Sequence, residues 1–258
     1  MATRSLMYHD VCRGAVDETG FRGPGPGRYK VSRARFGEHL EALAAACGAP
    51  PSIANAGGLG DRWMLTFDDG GAGALDAARD LARRRWRGHF FVVPTLVGTP
   101  GFLEWGEVRE IAAMGHVIGS HSHTHPPRIS ACTPQEQHDE WRRSTEAIAE
   151  RVGAPVTVAS VPGGYASRPV GRAAAAAGVE VLFTSTPTAR SAKVDGCLLL
   201  GRYAILHDTP AARAAQAAAG HTAPWLAQRA SWQARAVVKR VAGPHYLRLR
   251  SAMLARER

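Results

Sequence analysis

Three histidines, His121, His123 and His125, stand within five residues in the run GSHSHTHPP (residues 119–127), which ends at Pro126-Pro127. Solvated imidazoles in a polar loop are one reading. A metal site is the other, because neutral imidazole is the commonest protein ligand for zinc-like ions. His121 and His125 have the i, i+4 spacing of two ligands on one helical turn. His123 between them would point away, as a solvated or supporting histidine. Asp68-Asp69-Gly70 forms the second cluster. Asp and Gly favour tight turns, so the triplet reads as a turn signal. Equally, adjacent aspartates after an apolar strand point in different directions, so one can bind a metal while its neighbour moves a proton. One carboxylate with two imidazoles leaves coordination positions open for water and substrate, as in a catalytic site. An ion held there would lower the pKa of a water and polarise a carbonyl.

These clusters need elements to hold them. Short apolar runs read as strands at 5–8, 63–67, 89–93, 116–119, 156–160, 179–183 and 198–206. Helical patterns fall between them at 33–46, 72–85, 105–114, 134–151 and 167–177. Such alternation argues for an α/β protein with a mainly parallel sheet. A length of 258 residues suits one β/α barrel, and no internal repeat is visible. GPGPG (23–27) and GGLG (57–60) read as loops inside a single domain spanning 1–258. Asp68-Asp69, the histidine run, PGGY (Pro162–Tyr165) and His207-Asp208 each come at the end of a strand. In β/α barrels chemistry gathers at the C-terminal strand ends, so the four clusters are candidates for one pocket.

Composition limits the partners. No stretch approaches the roughly 20 continuous apolar residues of a transmembrane span. The first residues, MATRSLMYHDV, carry no apolar signal-peptide core, which predicts a cytoplasmic protein. Cys12, Cys47, Cys132 and Cys197 show no Cys-x-x-Cys spacing and read as free thiols. The net charge is +10, and residues 226–258 hold eight Lys/Arg against one Glu. This basic segment, about 225–258, reads as two helices, 225–241 and 247–255, broken at Gly243-Pro244, with Trp225 and Trp232 on an apolar side. Its basic face is either simply solvated or makes contact with an anionic surface. No zinc-finger, RNA-recognition or helix-turn-helix pattern points to nucleic acid.

LTFDDG (Leu65–Gly70) and GHVIGSHSHTHP (Gly115–Pro126) resemble the first two motifs of the polysaccharide deacetylase family, the NodB-like carbohydrate esterases. LMYHDV (Leu6–Val11) is similar to the opening Tyr-His strand of many members, and PGGY to the Pro-Gly-Gly variant of the third motif. The likeness runs from about Leu6 to Asp208. It implies a distorted (β/α) barrel of the NodB-like type, with the C-terminal helices packed on it. It also implies a divalent metal, most simply Zn2+, and hydrolysis of an N-acetyl group on an amino sugar. Carried over by position, Asp68 is the general base, while Asp69, His121 and His125 hold the metal. A backbone N–H at Tyr165 would face the oxyanion, which suits a preorganised donor. The family's general-acid histidine follows a Leu-x-x-His run, and AILHD (204–208) makes His207 the candidate. His9 is the other candidate, or else a histidine buried in the barrel mouth for its hydrogen bonds.

One departure stands out. The family often opens its third motif with an Arg that tethers the base aspartate, but here the neighbourhood reads Ala159-Ser160-Val161-Pro162. Arg168 or Arg202 could substitute. Two further functional readings stay open beside the sugar deacetylase. They are a metal-dependent amide hydrolase acting on a non-sugar substrate, and a non-catalytic carbohydrate-binding barrel.

Overall fold

The computed structural model describes residues 2–14, 18–50 and 62–242. GGLG, the Gly243-Pro244 break and the helix expected at 247–255 lie outside these residues. In chain order the elements begin with strands β1 (Thr3–Tyr8) and β2 (Asp10–Cys12), a one-turn helix α1 (Pro24–Gly27), strand β3 (Lys30–Ser32) and helix α2 (Arg33–Cys47). Then strand and helix alternate: β4 (Arg62–Phe67), α3 (Ala74–Arg83), β5 (His89–Val92), α4 (Trp105–Ala113), β6 (Val117–Ser120), α5 (Pro134–Val152), β7 (Val158–Ser160), α6 (Arg168–Ala176) and β8 (Val181–Phe183). Strands β9 (Ala192–Val194), β10 (Cys197–Leu200) and β11 (Arg202–Ala204) follow, and helices α7 (Ala211–Ala219) and α8 (Thr222–Ala242) close the described chain.

Nine strands form one sheet in the order β11-β1-β4-β5-β6-β7-β8-β10-β9, and only the β9–β10 hairpin is antiparallel. The expected strand at 198–206 is two strands. Leu198–Leu200 pairs with β8, whereas Arg202–Ala204 pairs with β1 at the other end of the order. The two are separated by Gly201 alone, so the sheet curls until its ends meet there, which makes the distorted barrel. Gly201 is needed at this seam because a Cβ would stand 2.4 Å from the Thr188 carbonyl oxygen. Strands β2, β3 and β9 and helices α1 and α7 carry no expectation from the sequence: three-residue strands and an all-Ala/Arg/Gln helix show too little periodicity.

The helices start and stop where local chemistry dictates. Ser32 caps α2, and Thr133 and Glu136 make a reciprocal capping box at α5 after which Pro134 fits the first turn. Gly153 ends α5 in a left-handed conformation. Two apolar layers result. Met64, Phe91, Val158, Val181, Phe183, Leu198 and Leu200 fill the barrel interior, and Leu6, Tyr8, Leu65, Phe67 and Phe90 join the outer layer under the helices. Helix α8 is tied to the seam by Gln228, which exchanges two hydrogen bonds with the backbone of Ala204, and by Trp225 against Tyr203.

Candidate active site

Alternation along the strands decides which side chains meet. Trp63, Leu65 and Phe67 of β4 pack outward, so Met64 and Thr66 face inward and Asp68 continues their phase. The same phase turns Ser160 of β7 and His121, just past β6, toward Asp68. From the seam, Arg202 reaches the same point: Nη1 donates to Asp68 Oδ1 at 2.7 Å and Nη2 to Oδ2 at 2.8 Å. Of the two arginines proposed to replace the family's tether, Arg202 takes the place and Arg168 does not; the latter is exposed at the start of α6. Arg202 is fully buried, with further bonds to Thr66 Oγ1 and the Thr184 carbonyl, and its guanidinium lies 5.9 Å from the Phe91 ring centroid.

Asp69 breaks the alternation. Its φ of 77° is left-handed, as is the 72° of Gly70 after it. For a non-glycine residue this costs roughly 1–3 kcal/mol, and it persists where the surroundings enforce it, often at functional sites. The turn brings Asp69 Oδ1 to 3.2 Å from His121 Nε2 and 3.6 Å from His125 Nε2. One ligand atom from each of these three residues lies within 4.8 Å of the others.

The histidine run is not the helical turn that its i, i+4 spacing suggested. Ser122 and His125 have φ of 64° and 56°, and the loop is folded on its own hydroxyls. Ser120 Oγ accepts from the Ser122 N–H and Ser122 Oγ from the His125 N–H, each at 3.1 Å. Glu140 of α5 accepts from the backbone N–H groups of His123 and Thr124, both at 2.9 Å. His123 is therefore held by its backbone and stands outside the ligand group.

Hydrogen bonds set the chemistry of each donor. Ser160 Oγ donates to Asp68 Oδ1 at 3.0 Å and accepts from His121 Nδ1 at 2.5 Å, while the Ser160 carbonyl lies 3.0 Å from the same nitrogen. That leaves His121 Nε2 directed at Asp69, as a metal-ligating imidazole needs. Burial pushes the Asp69 carboxyl up, but the His121 hydrogen bond and the charges of His9, His121 and His125 outweigh it and hold Asp69 ionised. Burial also opposes the Asp68 charge, and the Arg202 guanidinium prevails over it. His125 is lowered to about 4, first by burial and then by His121, so it is a neutral donor. His121 moves up: burial lowers it, but Asp68 and Asp69 together win. A carboxylate and two imidazoles converging on one point suit a divalent cation of the zinc type.

The two candidate proton donors part company. His207 is exposed three residues beyond β11; its backbone N–H donates to the Arg28 carbonyl, and no bond joins its ring to the aspartates. His9 feels the charges of both Asp69 and Asp68, its ring rests 4.5 Å from Tyr29, and its Nδ1 is buried without a hydrogen-bond partner. Burial lowers its pKa against those two carboxylates. Tyr165 follows the 162–164 turn, its N–H 3.5 Å from the Pro162 carbonyl, and its ring lies under the Arg128 guanidinium at 5.5 Å. Sequence reasoning missed Ser160, Glu140 and the aromatic wall of Phe21, whose ring is 4.7 Å from His125, and Tyr29.

Residues 57–182 match the sequence profile described as polysaccharide deacetylase. That stretch carries Asp68, Asp69, His121, His125 and Ser160. Over that stretch the chain is similar to the polysaccharide deacetylase family. A chitooligosaccharide deacetylase from Bradyrhizobium sp. (strain ANU 289) is 37% identical over 86 residues, which is 33% of this chain and 37% of that protein. A gellan lyase from Bacillus sp. is 33% identical over 103 residues, 40% of this chain but only 4% of the lyase. The chain thus spans well under half the length of both relatives. In fold it is similar to the Streptococcus pyogenes deacetylase PplD, with a TM-score of 0.70 at 19% identity over 84% of this chain and 98% of that one. It also matches a polysaccharide deacetylase from Bacillus cereus (TM-score 0.71, 21% identity, 84% and 69% of the two chains).

Proposed function

We propose that the protein is a metal-dependent carbohydrate deacetylase that hydrolyses an N-acetyl group on an amino sugar. The observation that carries this reading is the convergence of Asp69, His121 and His125 beside a second, separately tethered carboxylate, Asp68. A divalent cation held by those three residues would polarise the acetyl carbonyl and acidify a water. Asp68 takes the proton from the attacking water; Arg202 and Ser160 fix its orientation and keep it ionised beforehand. The arginine also makes Asp68 a weaker base than a free carboxylate, so its contribution rests on placement more than on basicity. In this reading His9, which feels the charges of both aspartates, returns a proton to the departing amine. The Tyr165 N–H, just past the Pro162–Gly164 turn, is the donor to the developing oxyanion in the same reading.

The test is acetate release from N-acetylated oligosaccharides of increasing length, with metal content measured alongside. Release that stops on chelation and returns with a divalent ion supports the proposal. A protein that never takes up a stoichiometric ion and releases no acetate is a binding barrel instead.

A further inference from the structure

Charge is distributed unevenly around the barrel mouth. Past the C-terminal strand ends stand Arg22 and Arg28 between β2 and β3, Arg128 after β6, Arg168 at the start of α6 and Arg190 after β8, while Arg13 on the same β2–β3 connection is paired with Asp76. Among the described residues none of the first five has an ion-pair partner; on the helices Arg33, Arg79, Arg83 and Arg142 are paired and Arg109, Arg143, Arg151 and Arg213 are not. The carboxylates near the same end are largely committed. Glu104 and Glu107 cap α4, Glu136 caps α5 and Glu140 holds the histidine loop. Glu18 and Asp208 remain as counter-charges.

The arginines also adjoin the groups that face the site. Arg22 follows Phe21, which packs on His125, and Arg28 precedes Tyr29, which packs on His9. Arg128 covers the Tyr165 ring. Arg190 borders a cavity of about 250 Å³ that reaches Val161 and Ser167, on either side of the Pro162–Tyr165 turn. Leaving five cations unpaired around one opening disfavours folding through self-repulsion and is balanced when an anion enters. A guanidinium is shaped to hold carboxylate or phosphate oxygens through two parallel bonds.

We infer that this rim selects an anionic substrate: an acetamido sugar bearing a carboxylate or phosphate on the same or a neighbouring unit. The inference rests on the deacetylase reading for the acetamido group, and on the rim alone for the charge. Binding is measured calorimetrically for three probes on the metal-loaded protein: a neutral N-acetylglucosamine tetramer, a tetrasaccharide alternating N-acetylglucosamine with glucuronic acid, and N-acetylglucosamine 1-phosphate.

The uronate tetrasaccharide should bind about tenfold or more tighter than the neutral one at low salt, and the advantage should shrink at about 0.5 M salt as screening sets in. If the phosphate probe alone gains, the rim reads phosphate; if the uronate alone gains, it reads carboxylate. In a double variant, Arg28→Gln with Arg128→Gln, the anionic-to-neutral ratio should fall toward one, while Arg85→Gln at the opposite barrel end leaves the ratio in place. Equal affinity for charged and neutral probes overturns the inference, as does an anionic preference that survives the double variant. Absence of acetate release from every probe, with anionic preference intact, strikes the deacetylase reading and leaves the rim standing.

Discussion

The two sides of the barrel mouth are built in different ways. On the β4–β6 side, Asp69, His121 and His125 come from two loops that leave strands separated only by β5. Their geometry is held locally, by left-handed turns and by the hydroxyls of Ser120 and Ser122. On the seam side, Arg202 and His9 come from opposite ends of the sequence and meet because β11 pairs with β1. Local geometry makes the ligand side tolerant of change elsewhere. The seam side depends on closure of the whole barrel, so damage there should reach both stability and chemistry.

The sharpest way to break this contrast is at the ligands. Replacing His125 with Ala should abolish stoichiometric metal binding and turnover, with the melting temperature of the ion-free protein little changed. His123→Ala should keep nearly all its metal, as elemental analysis would show; loss of the ion from His123→Ala but not from His125→Ala reverses the ligand assignment. Next in size is Arg202→Met, which strands the buried Asp68 carboxylate. Breaking one side of a buried pair typically costs about 3–5 kcal/mol, read as a lowered denaturation midpoint. The cost should largely disappear in the double variant with Asp68→Asn. An Arg202→Met protein as stable as the parent would mean that the seam is not holding the aspartate.

Ser160→Ala tests the bridge between the two sides. It removes the hydroxyl shared by Asp68 and His121, and loss of such a supporting partner typically lowers metal affinity or activity by roughly 10–100-fold. A smaller effect concerns pH. Because His121 in the ion-free protein is raised above the ordinary histidine value, it is protonated below that raised pKa and must release the proton to ligate. Metal affinity should therefore fall as pH drops through that raised pKa, and uptake should release protons in a buffer-dependent calorimetric signal. Affinity that does not change between pH 6 and 8 contradicts that sign.

The contrast between the two sides also explains what could be read from the sequence. Asp68-Asp69 and the histidine run were legible because each lies within one short loop after a strand, where type and spacing nearly determine proximity. Even so, the i, i+4 spacing suggested a helical turn, and the left-handed residues Ser122 and His125 make it a hydroxyl-braced loop instead. Arg202 could only be offered beside Arg168, since nothing local says that residue 202 lies across from residue 5 in the sheet. His207 drew attention through its ILHD context, yet the strand ends three residues earlier and the chain has already turned out to solvent. Phe21 and Tyr29 lay hidden in a Gly- and Pro-rich stretch whose path over the site is set by tertiary contacts alone.

The division of labour between the neighbouring aspartates is the central claim, and one paired measurement addresses it: metal content and acetate release of Asp68→Asn and Asp69→Asn, each prepared with excess divalent ion. Asp68→Asn should retain a stoichiometric ion while its turnover falls by roughly 10²–10⁴-fold, the loss expected for a missing general base. Asp69→Asn should lose the ion together with the activity. Equal loss of metal from both variants, or full activity in Asp68→Asn, contradicts the account.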